Sequence, residues 1–164
     1  MKDLGAAHFC LGMRIQVHSD HITLDQSRYT EEVLEQFGLA KSRSVATPLP
    51  PRTELRPSDG SGGDPLLNAD DQHLFRQIVG SLMFMVVCTR PDLAMAVNQL
   101  SRFMAQPSQA HMAAARHVLR YLRGTSDFQL YYSAASLATP QQTPADTLVK
   151  VMNFKIIICT DTKY

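Results

Sequence analysis

Between Ala46 and Leu67 the chain carries five prolines (Pro48, Pro50, Pro51, Pro57, Pro65) and three glycines (Gly60, Gly62, Gly63), with no sustained apolar period. Proline fixes φ and has no N–H to donate, and glycine loses the most conformational freedom on ordering, so no helix or paired strand can run through this stretch. A linker or long loop over 46–69 therefore breaks the chain into two parts. With 164 residues there is room for one domain, or for two small subdomains sharing a core.

Before the break, Phe9, Leu11, Met13, Ile15 and Val17 alternate as one side of a strand, and Ile22 and Leu24 resume after the polar His18-Ser19-Asp20-His21. This predicts a β-hairpin, with Gly12 marking a bulge or a close backbone approach. From Asp25 the period becomes helical through Tyr29, Val33, Leu34 and Phe37, with Asp25 as N-cap and Gly38 as the left-handed residue past the end. Residues 1–45 form the first predicted domain.

Past the break, three helical patterns predict a bundle over 70–132. The first runs from about Asp71 to Val87, with Leu74, Ile78, Leu82 and Met85 on one face and Asp70 or Asn68 as cap. The second opens with Pro91, carries Leu93, Ala96, Val97, Leu100 and Met104, and stops at Pro107. Ser108 caps the third, whose inner face is Met112, Ala115, Val118, Leu119 and Leu122, with Gly124 at its end. Residues 133–164 read as a second linker followed by a possible buried strand, Phe154 to Ile158. The predicted class is α+β, mostly α.

Composition excludes several classes. At 45% hydrophobic and 19% charged the chain is globular in character, and a net charge of +1 gives no global attraction to nucleic acid, so any basic footprint is local. Cys10, Cys88 and Cys159 are far apart and suggest neither a zinc site nor a disulfide framework; the expected compartment is intracellular, cytoplasmic or nuclear. The apolar runs are too short to span a bilayer, so no membrane partner is expected.

No P-loop, GxGxxG, GxSxG or HExxH occurs. Asp70-Asp71 reads as a helix-start pair rather than a metal site, and the scattered histidines, His18 and His21 among them, as solvated turn or surface residues. Two rows remain. Arg116, Arg120 and Arg123 recur at helical spacing opposite the apolar stripe of the third helix, either as a phosphate-tracking row or as an ordinary solvated face. Arg76, Gly80 and Phe84 share one face of the first helix, where a mid-helix glycine costs about 1 kcal/mol relative to alanine. Either a neighbouring helix or a nucleic-acid backbone approaches there.

The segments Met1-Lys2-Asp3-Leu4-Gly5, Phe9-Cys10-Leu11-Gly12-Met13-Arg14-Ile15 and Ile22 to Tyr29, then Phe75-Arg76-Gln77-Ile78-Val79-Gly80-Ser81-Leu82-Met83, Cys88 to Ala94, Leu100 to Met104 and Val118 to Thr125, resemble copia-type retrotransposon reverse transcriptases. The resemblance covers roughly 1–132. It implies that the Phe9–Leu24 hairpin, with Phe9 and Gly12, is a primer grip and that the later helices are a thumb. By similarity, Arg76, Gly80 and Phe84 would face the minor groove of a template-primer duplex, with Arg116, Arg120 and Arg123 as phosphate contacts.

The same resemblance places the family's polymerase carboxylates, which hold Mg2+, upstream of the equivalent of Met1, and makes Asp161 a trace of the first ribonuclease H strand. The expectation is a fragment with no catalytic residue, metal site or cofactor of its own. It would bind an RNA/DNA template-primer weakly and associate with the rest of the Pol polyprotein. The alternatives are a non-catalytic helical protein-interaction module and a non-functional product of a decayed element; an exposed apolar patch would favour the module.

Overall fold

The computed structural model describes residues 8–58 and 64–133 and is α+β, mostly helical. It divides into two compact units: residues 8–26 with 127–133, and residues 27–126. The division falls at either end of the helical region rather than at the Pro/Gly-rich stretch.

The first unit is an antiparallel sheet in the order β1 (Phe9–Cys10), β2 (Met13–Val17), β3 (His21–Asp25), β4 (Leu130–Ser133). The expected continuous strand from Phe9 to Val17 is broken. Leu11 and Gly12 have φ of +51° and +78°, and two successive left-handed residues make the tight reversal of a two-residue hairpin, pairing Cys10 with Met13. Gly12 is thus a turn residue, not a bulge. On β2 and β3 the cross-strand pairs Arg14–Asp25 and Gln16–Thr23 share one face, and Ile15–Leu24 and Val17–Ile22 the other. Asp25 ends β3 with its carboxylate taking Arg14 Nε–H at 2.8 Å, one residue short of the N-cap position the sequence suggested for it. β4 was not anticipated; it pairs Leu130 with Leu24 and Tyr132 with Ile22. The expected strand at Phe154–Ile158 and Asp161 lie outside the described residues.

The second unit holds α1 (Ser27–Gln36), α2 (Ala69–Cys88), a 3-10 turn (Pro91–Leu93), α3 (Ala94–Ser101) and α4 (Gln109–Gly124). α1 ends as foreseen: Gly38 has φ +70°, the Leu39 N–H reaches the Leu34 carbonyl at 2.8 Å and the Gly38 N–H the Glu35 carbonyl at 3.0 Å. α2 is capped by Asn68, whose Oδ1 accepts the Asp71 N–H at 2.8 Å; Asp70 lies inside the first turn, where the helix dipole favours a carboxylate. Phe75, Ile78, Val79, Leu82 and Met85 are sealed from solvent and meet Leu93, Leu100, Val118, Leu119 and Leu122 in one core. Each such side chain contributes roughly 1.5–3 kcal/mol of burial.

The chain after Pro91 makes a 3-10 turn before α3, which stops at Ser101, short of both Met104 and Pro107. Gly124 is the last residue of α4 and has no positive φ; a Cβ there would lie 2.8 Å from the Ser44 Cβ, so close packing is what calls for glycine. The described parts of the Pro/Gly-rich stretch, and Val45 just before it, are also tied down. Val45, Leu49 and Leu55 lean on the core, the Leu67 N–H donates to the Pro107 carbonyl, and the Gln109 N–H to the Pro65 carbonyl.

Two buried polar arrangements hold the helices in place. Arg90 is enclosed at 3% exposure. Its Nε and Nη2 donate to the two Asp92 oxygens at 3.0 and 2.8 Å, while Nη1 and Nη2 reach the carbonyl and hydroxyl of Thr125 at 2.9 and 2.6 Å. The Tyr121 hydroxyl donates to Asp92 at 3.1 Å, and burial beside that carboxylate raises the phenol pKa. At the start of α4, the fully buried His111 accepts the Ser108 N–H at Nδ1, 2.9 Å, and stacks on Phe103 at 4.0 Å. Burial pushes the His111 pKa below its ordinary value, with the Asp64 charge and the Arg56 carbonyl opposing.

Replacing Arg90 by Met leaves the Asp92 carboxylate, 11% exposed, without its guanidinium. Urea unfolding should show a loss of about 3–5 kcal/mol, whereas a surface substitution such as Arg102→Met should shift it by less than about 0.5 kcal/mol. For His111 the unfolded chain binds the proton more tightly than the folded one. Stability should be flat above pH about 6.5 and fall as pH drops below it, and His111→Gln should flatten that slope in urea midpoints measured between pH 7 and 5.

Candidate nucleic-acid interface

The 3.6-residue period that turns Phe75, Ile78, Val79 and Leu82 inward puts Arg76, Gly80 and Phe84 together on the outward face of α2. Arg76 is exposed but not loose: Nε donates to the Met104 carbonyl at 2.9 Å and Nη2 to Gln72 Oε1 at 3.1 Å, so its guanidinium plane is set by the fold. Phe84, 40% exposed, is braced edge-on by Tyr29 of α1 at 5.1 Å and 83°. Between them, a Cβ built on Gly80 would meet no described atom within 4 Å. No neighbouring helix of this unit explains the glycine.

Arg116, Arg120 and Arg123 lie on the outer side of α4, as their spacing implied, but two of them are engaged with the 40–47 segment. Arg120 Nε donates to the Arg43 carbonyl at 3.0 Å and Arg123 Nε to the Ala40 carbonyl at 2.6 Å, while His117 Nε2 is 3.1 Å from the Thr47 carbonyl. Arg116 is exposed. The row is therefore a seam that fastens the segment after α1 to α4. A guanidinium has five N–H donors and each carbonyl takes one, so the same side chains retain capacity for phosphate oxygens.

Phe9 and Gly12 belong to the sheet unit: Phe9 is 58% exposed on β1 and Gly12 is in the hairpin turn beside it. The structure thus brings Arg76, Gly80 and Phe84 onto one face, Arg116, Arg120 and Arg123 onto another helix of the same unit, and leaves Phe9 and Gly12 in the other unit. The sequence reading did not assign this role to the residues that fix these faces, Arg90, Asp92, Tyr121 and Thr125; Arg90 and Asp92 are only two positions apart, but the contacts that join them to α4, Arg90 to Thr125 and Tyr121 to Asp92, span 35 and 29 positions, which no local pattern signals. Among the described residues no three His, Cys, Asp or Glu side chains converge as metal ligands would, and no helix is long and apolar enough to cross a membrane.

No family model matches the sequence, and no solved structure matches it either. Curated proteins do. The chain is 36% identical over 161 residues, 94% of its length, to the retrovirus-related Pol polyprotein from transposon TNT 1-94 of Nicotiana tabacum, covering 12% of that protein. It is 37% identical over 131 residues to an uncharacterized mitochondrial protein of Arabidopsis thaliana, covering 80% of this chain and 51% of that one. It is also 32% identical over 142 residues to a putative transposon Ty5-1 protein of Saccharomyces cerevisiae, covering 83% and 42%.

The chain's homologues are retrovirus-related Pol polyproteins of plant transposons, of which it matches one segment. The copia-type resemblance read from Phe75–Met83 and Cys88–Ala94 agrees with these relatives. The chain spans about half the length, or less, of the curated relatives named here.

If Arg120 and Arg123 fasten the 40–47 segment, replacing both by alanine should lower stability by about 1 kcal/mol per lost hydrogen bond. It should also speed tryptic cleavage after Lys41 and Arg43 under native conditions. An unchanged cleavage rate would mean the two side chains are merely solvated.

Proposed function

We propose that residues 27–126 form a non-catalytic template-primer-binding element of the reverse transcriptase portion of Pol. In this role they act as a thumb-like clamp on an RNA/DNA duplex. The observation that carries the reading is Gly80. A mid-helix glycine gives up about 1 kcal/mol of helix stability, no described atom of the unit lies within 4 Å of where its Cβ would be, and it lies between an oriented arginine and a braced phenylalanine. A flat opening of that kind suits a groove or backbone that must come closer than a Cβ would permit, with Arg76 reaching phosphate or sugar and Phe84 lying against the sugars. Contacts of this type position a duplex without reading its sequence.

Arg116, Arg120 and Arg123 would add phosphate contacts along α4, which accounts for binding by a chain whose net charge is only +1. Phe9 and Gly12, on the sheet unit, would act as the primer-grip counterpart. The partners are then a template-primer duplex and the remainder of Pol, and the setting is intracellular. The role needs no cofactor from these residues; the Mg2+ of the family's polymerase would be held by other parts of Pol.

A second reading is favoured by one observation. Met83, Val87 and Met95 are 45%, 83% and 74% exposed, an apolar group at the end of α2 and start of α3 that a protein partner would cover.

Gly80→Ala separates the two. It should stabilise the fold by about 0.5–1 kcal/mol, because the added methyl enters open space on a regular helix. If the duplex approaches there, the same substitution should weaken binding to a labelled RNA/DNA hybrid despite the gain in stability. Arg76→Gln should weaken binding too, and flatten the dependence of log affinity on log salt by roughly 0.9 for one phosphate contact. Hybrid affinity unaltered by both substitutions would remove α2 from the interface and leave the protein-binding reading.

A further inference from the structure

The tip of the β2–β3 hairpin carries three rings in a row. The His18 and His21 centroids are 4.2 Å apart with planes at 13°, and the His21 and Tyr131 centroids are 4.4 Å apart at 25°. β3 lies between β2 and β4, so His18 and Tyr131 reach His21 from opposite sides and the order is His18, His21, Tyr131. The middle ring is held on a third side, because Asp20 Oδ1 lies 2.7 Å from His21 Nδ1. His21 is 21% exposed in its side chain, whereas His18, at the end of the row, is exposed. One face of His18 is covered by His21, so its solvent contact is on the opposite face and the edge.

Alternation along β2 puts Arg14 and Gln16 on the same side of the sheet as His18, and both are exposed. Arg14 is salt-bridged to Asp25 at 2.8 Å, which offsets its charge locally. The face therefore offers an open, near-parallel aromatic platform with hydrogen-bonding side chains next to it and little uncompensated positive charge. Phosphate attraction would be weak there, and ring stacking strong. A planar heteroaromatic ring with polar edges fits that chemistry; every nucleobase has such a π-face, and base stacking on aromatic side chains is tolerant of sequence.

We propose that His18, backed by His21 and Tyr131, is a stacking platform for one unpaired nucleobase, a site separate from the α2 row. The proposal rests on the reading of this chain as a nucleic-acid-binding part of Pol, and extends it from duplex to single strand.

The test uses the full chain and two probes: a short single-stranded oligonucleotide containing the fluorescent base 2-aminopurine, and a blunt RNA/DNA hybrid with no unpaired base. Wild type should quench the 2-aminopurine on binding. His18→Ala, with its fold checked by circular dichroism, should bind the single strand roughly tenfold more weakly, and the difference should persist at high salt because stacking releases few counterions. His18→Tyr should restore it. Blunt-hybrid binding should be the same in wild type and His18→Ala.

Failure of the hybrid to bind any form, with quenching and its loss in His18→Ala intact, sinks the duplex clamp and supports the platform. Absence of quenching in wild type, or equal single-strand affinity in wild type and His18→Ala, overturns the platform whatever the hybrid does. The latter result would return the ring row to use by a protein partner or to hairpin stability alone.

Discussion

A guanidinium buried at the end of α2 decides how the helical unit is put together. Arg90 cannot be enclosed at 3% exposure unless its donors are met, and the acceptors come from its own turn (Asp92) and from the far end of α4 (Thr125). The α2 terminus, the 3-10 turn and the α4 terminus are therefore fixed by one side chain. Tyr121 closes the arrangement from α4 with its hydroxyl on Asp92, and its ring lies 5.8 Å from the guanidinium carbon. A hydrophobic core alone tolerates sliding between helices; directional hydrogen bonds from a planar fork do not. Hence the outward faces of α2 and α4 are held as rigid surfaces within this unit.

What those faces carry departs from what stability asks for. Around Gly80 the inward positions of α2 obey core packing, with Phe75, Ile78, Val79 and Leu82 at or near zero exposure. Glycine in the midst of them is a local conflict, and alanine would be accommodated without a clash. Gly124 is the instructive contrast, since there a Cβ meets Ser44 and the fold itself explains the residue. Gly12 is a third kind, required by the positive φ of a hairpin turn. Of these three glycines only Gly80 has no account in the described fold, which is the pattern expected where local rules yield to function.

How much was legible in the sequence follows from the range of the interactions involved. The helices were, because their stripes and caps are local: Gly38 closes α1, Ser108 opens α4, and Asn68 rather than Asp70, two positions on, caps α2. The break at Leu11-Gly12 was hidden because apolar alternation reads straight through a two-residue turn whose first residue is a leucine forced to positive φ. β4 was hidden because four residues after a helix carry little pattern of their own, and their partner β3 is more than a hundred residues away. For the candidate interface, spacing alone put Arg76, Gly80 and Phe84 on a common face. It could not say that Arg120 and Arg123 hold carbonyls 77 and 83 positions distant, since a backbone acceptor leaves no trace in the sequence.

The carbonyl contacts of those arginines bear on how such a row would bind phosphate, as proposed. A long exposed side chain loses rotamer freedom on binding, worth about 0.5–1.5 kcal/mol per immobilised group. Arg120 and Arg123 have already lost much of it to the Arg43 and Ala40 carbonyls, and Arg76 to Met104, so under the proposed role a phosphate would meet guanidinium planes whose direction is set beforehand. The neutral acceptors leave the charge uncompensated, unlike Arg14 and Arg90, whose charges are matched by Asp25 and Asp92. Structural anchoring and anion binding are thus not rival explanations of one residue. The fold divides the arginines by acceptor: those facing carboxylates are consumed by it, and those facing carbonyls are oriented by it and remain cations.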